Sequence, residues 1–256
     1  MLHRIAEVSN EVTSAFETYH FSNFYQAIQN FCIVDLSNFY LDIAKDRLYI
    51  SSPNSFRRRS CQTVLLLAIE SLSKMIAPVL CHMAEDIWQF LPYKPSYNSV
   101  FEGGWVNEIK ELEEVEVKNF WVNLRMIRND INNVLELARQ EKVIGSSLDA
   151  KIILHIKDLN FKQQLAKFDS QYTLSKDNCV DELRYFFLVS QVELVENLDQ
   201  IKSLEYQSES ELFYVGVVKA EGKKCERCWN YSTTVGSFVD DPTICDRCHS
   251  ALLEEF

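Results

Sequence analysis

The sequence predicts a mainly α-helical protein: an antiparallel helical bundle, then a small α+β unit, then a C-terminal module built on four cysteines. Three observations predict this architecture. Apolar residues recur every three or four positions over residues 1–92, two short runs beyond residue 150 have strand character, and two Cys-x2-Cys pairs lie near the C-terminus. We place the three parts at residues 1–96, 97–218 and 219–256.

The first part is predicted to consist of long helices. One wide apolar stripe begins at Phe21 and steps by three and four residues as far as Ile43, as on a long amphipathic helix. The segment 51–55, Ser-Ser-Pro-Asn-Ser, interrupts this pattern, and a second long helix then extends to Ile76. Pro78 kinks that helix or starts the next one. Long helices with short connections favour an antiparallel bundle.

The middle part combines helix and strand patterns. A helical pattern extends from about Val117 to Lys142 and stops at Gly145-Ser146-Ser147. The runs 151–156 and 213–218 are rich in β-branched and aromatic residues and predict strands. A further short strand is predicted around 185–189. These elements together indicate a small α+β unit.

The four C-terminal cysteines predict a structural zinc site. Cys225 and Cys228 form the first pair, and Cys245 and Cys248 form the second pair sixteen residues later. Four thiolates at this spacing fill the tetrahedral coordination of one ion and leave no position for substrate or water. Two disulfides or two redox dithiols are the alternatives, and His249 could compete as a ligand. The lack of a secretory signal favours a reducing compartment and therefore a metal.

Basic and aromatic residues surround the cysteines. Lys223 and Lys224 precede the first pair, while Arg227 and Arg247 hold the third position of each pair and are expected to point outward. Trp229 directly follows the second cysteine. An exposed ring beside cations can stack on an RNA base. The same ring could instead cover the metal site as a miniature core, and the spacing favours neither interpretation.

A second basic cluster opens the long helix that follows the 51–55 segment. Arg57, Arg58 and Arg59 lie where positive charge opposes the helix dipole. Contact with phosphate groups would explain this run. The alternative is a solvated cluster neutralised by nearby acids such as Asp46.

Composition and missing motifs restrict the function further. The chain has 26 basic and 37 acidic residues and a formal net charge of −11, whereas proteins that coat nucleic acid non-specifically are usually basic. We therefore expect no DNA partner, and RNA contact only at chosen points. No apolar run is long enough to span a membrane. The sequence contains no Gly-rich phosphate loop, Gly-x-Ser-x-Gly or His-Glu-x-x-His motif, so no catalytic residue is predicted.

Several stretches resemble the C-terminal third of bacterial-type isoleucyl-tRNA synthetases, which are class I enzymes. The resemblance extends from near residue 1 to Cys248, and its zinc segment distinguishes it from the valyl and leucyl relatives. The stretches that carry it are 39–49, 58–63, 77–80, 84–88, 120–128, 142–148, 220–229 and 244–248.

The resemblance implies a tRNA-binding function. In this family the bundle, a class I anticodon-binding domain, and the zinc module hold the anticodon arm of isoleucine tRNA, and the aromatic residue at the position of Trp229 contacts anticodon bases. The tRNA contacts expected on this basis are Trp229, Arg227, Lys223, Lys224, Arg57, Arg58, Arg59 and Arg247. One structural Zn²⁺ is the expected cofactor.

The resemblance also implies that the chain is one part of a longer enzyme. The family's catalytic motifs and editing domain lie upstream of the matching region, so ATP would bind only there, and Met1 resembles an internal methionine. We expect a cytoplasmic monomer whose partner is isoleucine tRNA, with no membrane partner. The alternative is a stand-alone zinc-containing module that binds tRNA or protein.

Overall fold

The computed structural model describes residues 1–106, 115–169 and 181–254. They form two compact units, one from Met1–Leu48 and Phe56–Glu114, the other from Tyr49–Ser55 and Val115–Phe256. The predicted fold class, mainly α with a small mixed sheet and a C-terminal cysteine cluster, is confirmed. The boundaries at residues 96 and 218 stay a prediction.

The first unit is the helical bundle. Its largest buried cluster includes apolar side chains from three helices and the start of a π-helix: Ile5, Val8, Val12, Ala15, Phe24, Ala27, Phe31, Ala68 and Met75. The helical elements are α1 (Leu2–Glu17), α2 (Phe21–Asn30), the π-helix (Phe31–Leu41), α3 (Asp42–Tyr49), α4 (Phe56–Ile76) and α5 (Cys81–Gln89). The break predicted at 51–55 lies between α3 and α4, as the Ser-Pro-Asn-Ser composition requires.

The helix predicted from Phe21 onward is continuous to Tyr49, but its middle has π geometry. Within the π-helix, Phe31 and Asp35 are buried. Arg4 Nε donates a hydrogen bond to Asp35 Oδ2 over 2.8 Å, and the Arg4 guanidinium also contacts half-buried Glu7 and exposed Glu11 of its own helix. Because a buried carboxylate without a partner is strongly destabilising, this ion pair lets the π-helix pack its polar residue against α1.

The second unit is an α+β fold around a four-stranded sheet of order β2-β1-β4-β3. Strand β1 pairs parallel with β2 and antiparallel with β4, and Ile153 lies opposite Gly216. The elements are α6 (Val115–Gln140), β1 (Ala150–Ile156), α7 (Leu159–Asp169), α8 (Asp181–Phe187), β2 (Gln191–Leu194), α9 (Asp199–Lys202), β3 (Tyr206–Glu209) and β4 (Phe213–Lys219). The two strands predicted most clearly therefore form the centre of the sheet.

The strand predicted around 185–189 is wrong, because this segment ends helix α8. Tyr185, Phe186 and Phe187 are consecutive and all are buried. A short continuous apolar run does not distinguish a buried strand from a buried helix. The strand of this region, β2, begins four residues after the helix ends, at Gln191.

The described helices include none that combines the length and the apolar character needed to cross a lipid bilayer.

Candidate metal centre and its surface

Two short backbone elements of the second unit present the four cysteines. Strands β5 (Lys223–Lys224) and β6 (Tyr231–Ser232) pair antiparallel, and the first Cys-x2-Cys pair lies in the loop that joins them. The second pair lies at the start of α10 (Asp246–Leu252), where Cys245 is the N-cap and Cys248 belongs to the first turn. A hairpin loop and a helix N-terminus thus face each other across the cysteine cluster.

The sulfur positions suit one tetrahedral metal ion. All four Sγ atoms lie within 4.8 Å of one another. Cys225 Sγ is 3.8 Å from Cys248 Sγ, and Cys228 Sγ is 3.7 Å from Cys245 Sγ. Zinc–sulfur bonds of about 2.3 Å in a tetrahedron separate the sulfurs by about 3.8 Å. A disulfide needs about 2.05 Å, so the disulfide alternative is wrong for both of these pairs.

The thiols also interact electrostatically. Hydrogen bonds from Cys245 and Cys248, together with the positive charge of Arg247, lower the pKa of the Cys228 thiol. The same sharing of protons raises the pKa of Cys245 to about 12, chiefly through its hydrogen bond with Cys228. A divalent ion at this site would deprotonate all four thiols, because coordinating thiols are thiolates.

His249 is held away from the cysteines. Its ring stacks on Phe238 with centroids 4.0 Å apart, and its Nδ1 is 3.0 Å from Asp241 Oδ2. Among the residues that the structure describes, the group able to hold a metal consists of the four cysteines alone. The donor set is thus four sulfurs, which is typical of closed structural zinc sites.

Trp229 lies on the surface of the hairpin loop. Its side chain is 63% exposed, and the buried cluster around the cysteines contains Ile50 and Ile244 instead. Lys224 Nζ is 5.6 Å from the centroid of the indole. Trp229 has a φ of +65°, a left-handed conformation that strains a bulky side chain. The miniature-core interpretation is therefore wrong: the backbone holds this ring out in solvent, beside a cation.

The expectation that both arginines of the cysteine pairs point outward is wrong. Arg247 is 3% exposed, and its guanidinium carbon is 4.9 Å from the ring centroid of Tyr185. Arg227 is half-buried, and its Nη1 donates a hydrogen bond of 2.9 Å to the backbone oxygen of Ile50. The two exposed cations beside the hairpin loop are Lys223 and Lys224, on β5. The position of an arginine within a Cys-x2-Cys turn does not predict these contacts, because Tyr185 and Ile50 lie far from the cysteines in the sequence.

The arginine run belongs to the first unit, at the start of α4. Arg59 is exposed and its Nη1 donates to Gln62 Oε1 over 3.2 Å, while Arg57 and Arg58 are half-buried. The first turn of α4 contains no acidic residue. The positive charge therefore opposes the helix dipole, as the sequence predicted.

Gly222 lets the backbone just before strand β5 pack closely against Ser232 of strand β6. Its substitution should therefore destabilise the module. Its φ is +89°, and an added Cβ would lie 2.3 Å from the carbonyl carbon and oxygen of Ser232. We expect Gly222→Ala to lower the unfolding free energy by at least about 1–3 kcal/mol, since backbone strain is joined by a backbone clash. Chemical denaturation of the zinc-loaded chain measures the loss.

Gly236 provides the matched control for this substitution. Its φ is +100°, but an added Cβ would meet nothing within 4 Å. Gly236→Ala should therefore show only the cost of the left-handed backbone, about 1–2 kcal/mol. Equal losses for the two variants would contradict the role assigned to close packing at Gly222.

Comparison with known proteins relates both ends of the chain to described families. Residues 1–154 match the anticodon-binding domain of tRNA ligase, and residues 222–251 match the zinc finger found in FPG and IleRS. The isoleucine–tRNA ligases of Crocosphaera subtropica and Rippkaea orientalis are each 66% identical to the chain over 256 residues. That of Microcystis aeruginosa is 59% identical. Each alignment covers 100% of the chain, which spans 27% of the relative's length.

Proposed function

The chain belongs to the family of tRNA ligase anticodon-binding domains, and we propose that it forms the tRNA-binding part of an isoleucine–tRNA ligase. The complete enzyme would use ATP to charge isoleucine tRNA with isoleucine, and the catalytic domains of such an enzyme would do this chemistry. This part would select and position the tRNA. We assign the bundle to residues 1–96, the connecting α+β region to 97–218 and the zinc module to 219–256.

The single observation that carries this proposal is the presentation of Trp229. A strained backbone conformation is retained only when the surrounding structure imposes it, and such strain is concentrated at functional sites. Here it holds a ring that is 63% exposed, next to Lys224, which with Lys223 forms the exposed, positively charged strand β5. A base can stack on such a ring while the lysines attract the phosphate backbone.

We propose that the metal acts by shaping this surface. Four cysteine ligands leave no open coordination position, so one Zn²⁺ at this site would take no part in chemistry. It would hold the hairpin loop against α10 and thereby fix the direction of the indole. The chain's own residues then supply the recognition.

The proposed tRNA contacts fall into two groups. Trp229, Lys223 and Lys224 contact the anticodon bases and their phosphates directly, and the arginine run at residues 57–59 contacts phosphates of the same arm. Arg227 and Arg247 support the module from within rather than contact the tRNA. With a net charge of −11 on the chain, these local cations favour a structured RNA over DNA. We further propose a cytoplasmic monomer.

Replacement of Trp229 should weaken tRNA binding without disrupting the module. We expect Trp229→Ala to lower the affinity of the zinc-loaded chain for an isoleucine tRNA transcript by about 1–3 kcal/mol, the value of one base stack. Trp229→Gly should lose the same affinity but unfold at higher denaturant concentration than Trp229→Ala, since glycine relieves the left-handed strain. Fluorescence anisotropy and denaturation measure the two effects.

Val239 offers a control in the same module, because it is 96% exposed and apolar. Val239→Ala should leave the affinity within twofold of the unsubstituted chain. If Trp229→Ala also leaves the affinity unchanged, the ring is not a tRNA contact and the proposal loses its main support.

A further inference from the structure

The zinc module has a second partner segment far away in the sequence. Residues Tyr49–Ser55, the turn between α3 and α4, belong to the same compact unit as the cysteines. Ile50 is 8% exposed and packs in one buried cluster with Cys225, Ile244, Cys245 and Cys248. The metal site is therefore assembled on this turn as well as on its own two elements.

A directed hydrogen bond reinforces this packing. Arg227 lies between the first two cysteines, and its Nη1 donates to the backbone oxygen of Ile50 over 2.9 Å. A charged donor to a neutral carbonyl is among the stronger protein hydrogen bonds. Ser51 and Ser52 are 3% and 5% exposed, so the turn is packed from Ile50 to Ser52, whereas Pro53 and Asn54 are exposed. The cysteine cluster, Arg227 and Ile50 thus form one connected support.

Tyr49 directly precedes Ile50, so the packing of Ile50 in the cysteine cluster also holds the backbone of Tyr49 in place. Its side chain is 75% exposed, although it ends a helix next to a buried turn. Within the part of this unit that the structure describes, Tyr49 and Trp229 are the only exposed aromatic rings. Both are attached to the same cluster, Trp229 through Cys228 and Tyr49 through Ile50.

We infer that Tyr49 is a second base-stacking residue of the RNA-binding surface and that Arg227 is the positioning residue that holds it there. This inference rests on the proposed function and adds a recognition element from outside the zinc module. An aromatic ring can stack on any base. The rings of Tyr49 and Trp229, both attached to the cysteine cluster, could therefore stack on consecutive or splayed bases of a single-stranded loop. Arg227 then acts through a backbone carbonyl and not through a phosphate.

The first test compares ring removal at Tyr49 with a matched control. We expect Tyr49→Ala to weaken binding of an isoleucine tRNA transcript by about 5- to 150-fold, the equivalent of one stack, and Tyr49→Phe to retain it. Leu159 is 73% exposed in the same unit, and Leu159→Ala should bind within twofold of the unsubstituted chain. Zinc stoichiometry and the unfolding midpoint of each variant verify that the fold is intact.

The second test separates positioning from phosphate contact at Arg227. Arg227→Ala should weaken tRNA binding several-fold in the unsubstituted chain but by less than twofold in the Tyr49→Ala background. The effects should not add, because both substitutions remove the same stacking interaction of Tyr49. The salt dependence of binding by Arg227→Ala should match that of the unsubstituted chain. Lys224→Ala, by contrast, should reduce the slope of log affinity against log salt by about 0.7. A reduced slope for Arg227→Ala would overturn the positioning role.

The outcomes distinguish this inference from the function on which it rests. If Trp229→Ala weakens binding while Tyr49→Ala behaves like Leu159→Ala, Tyr49 is not a contact and the inference alone fails. If the unsubstituted chain binds no tRNA, or Trp229→Ala has no effect, the proposed function fails and the inference fails with it.

Discussion

Removal of zinc should unfold the C-terminal module and leave the helical bundle folded. The buried cluster of the module consists of Ile50, Ile244 and the cysteines themselves, which is too little apolar surface to offset the entropy of ordering about forty residues. Metal binding to four thiolates supplies about 10–16 kcal/mol at neutral pH, so the folded module depends on the ion. The bundle has its own apolar core, formed around Phe31 and Met75, and needs no metal.

Chelation followed by limited proteolysis and circular dichroism measures this effect. We expect rapid cleavage after residue 219 in the chelated chain, with new cleavage at Tyr49–Ser55, and retention of most of the helical signal. Cys225→Ser should bind zinc poorly, whereas Cys81→Ser should bind one equivalent, because Cys81 is exposed and belongs to the other unit. A module that resists protease without metal would show that its folding does not depend on zinc.

Truncation of Phe31 should strongly destabilise the bundle. Phe31 is 0% exposed, begins the π-helix and packs with α1 and α4 side chains. Phe31→Ala removes a large buried ring and leaves a cavity, so the unfolding free energy of the bundle should fall by about 3–5 kcal/mol. Hydrogen exchange of the bundle amides, or its denaturation transition, measures this change.

Phe90 is the matched control for this truncation. It is 86% exposed, so Phe90→Ala should change the stability by no more than about 0.5 kcal/mol. Zinc stoichiometry should be normal in both variants, since the metal site lies in the other unit. Similar losses from Phe31→Ala and Phe90→Ala would contradict the assignment of Phe31 to the core.

The parts of the fold that follow from local pattern could be predicted from the sequence. Strands β1 and β4 are rich in β-branched and aromatic residues, and the break at 51–55 that separates the two long helices has strong turn residues. The π-helix could not be predicted, because apolar spacing defines a helical face but not the hydrogen-bond register. The segment 185–189 was assigned wrongly because three consecutive apolar residues fit either a strand or a buried helix.

The candidate site divides in the same way. The four cysteines were predictable because their spacing is local. The side chains between them were not, since Arg227 bonds to Ile50, 177 residues away, and Arg247 packs on Tyr185 of another helix. Neither partner leaves a signal near the cysteines. The exposure of Trp229 likewise depends on a backbone conformation that residue type alone would not suggest.

The contact between Ile50 and the cysteine cluster has a consequence for synthesis of the chain. At about 5–20 residues per second, the ribosome adds Arg227 roughly 9–35 s after Ile50, because 177 residues separate them. During that interval the turn at Tyr49–Ser55 has left the ribosome without the residues that later cover Ile50. Acquisition of the metal is therefore a late step of maturation, and newly made chains in a zinc-starved cell would expose this turn to proteases and chaperones.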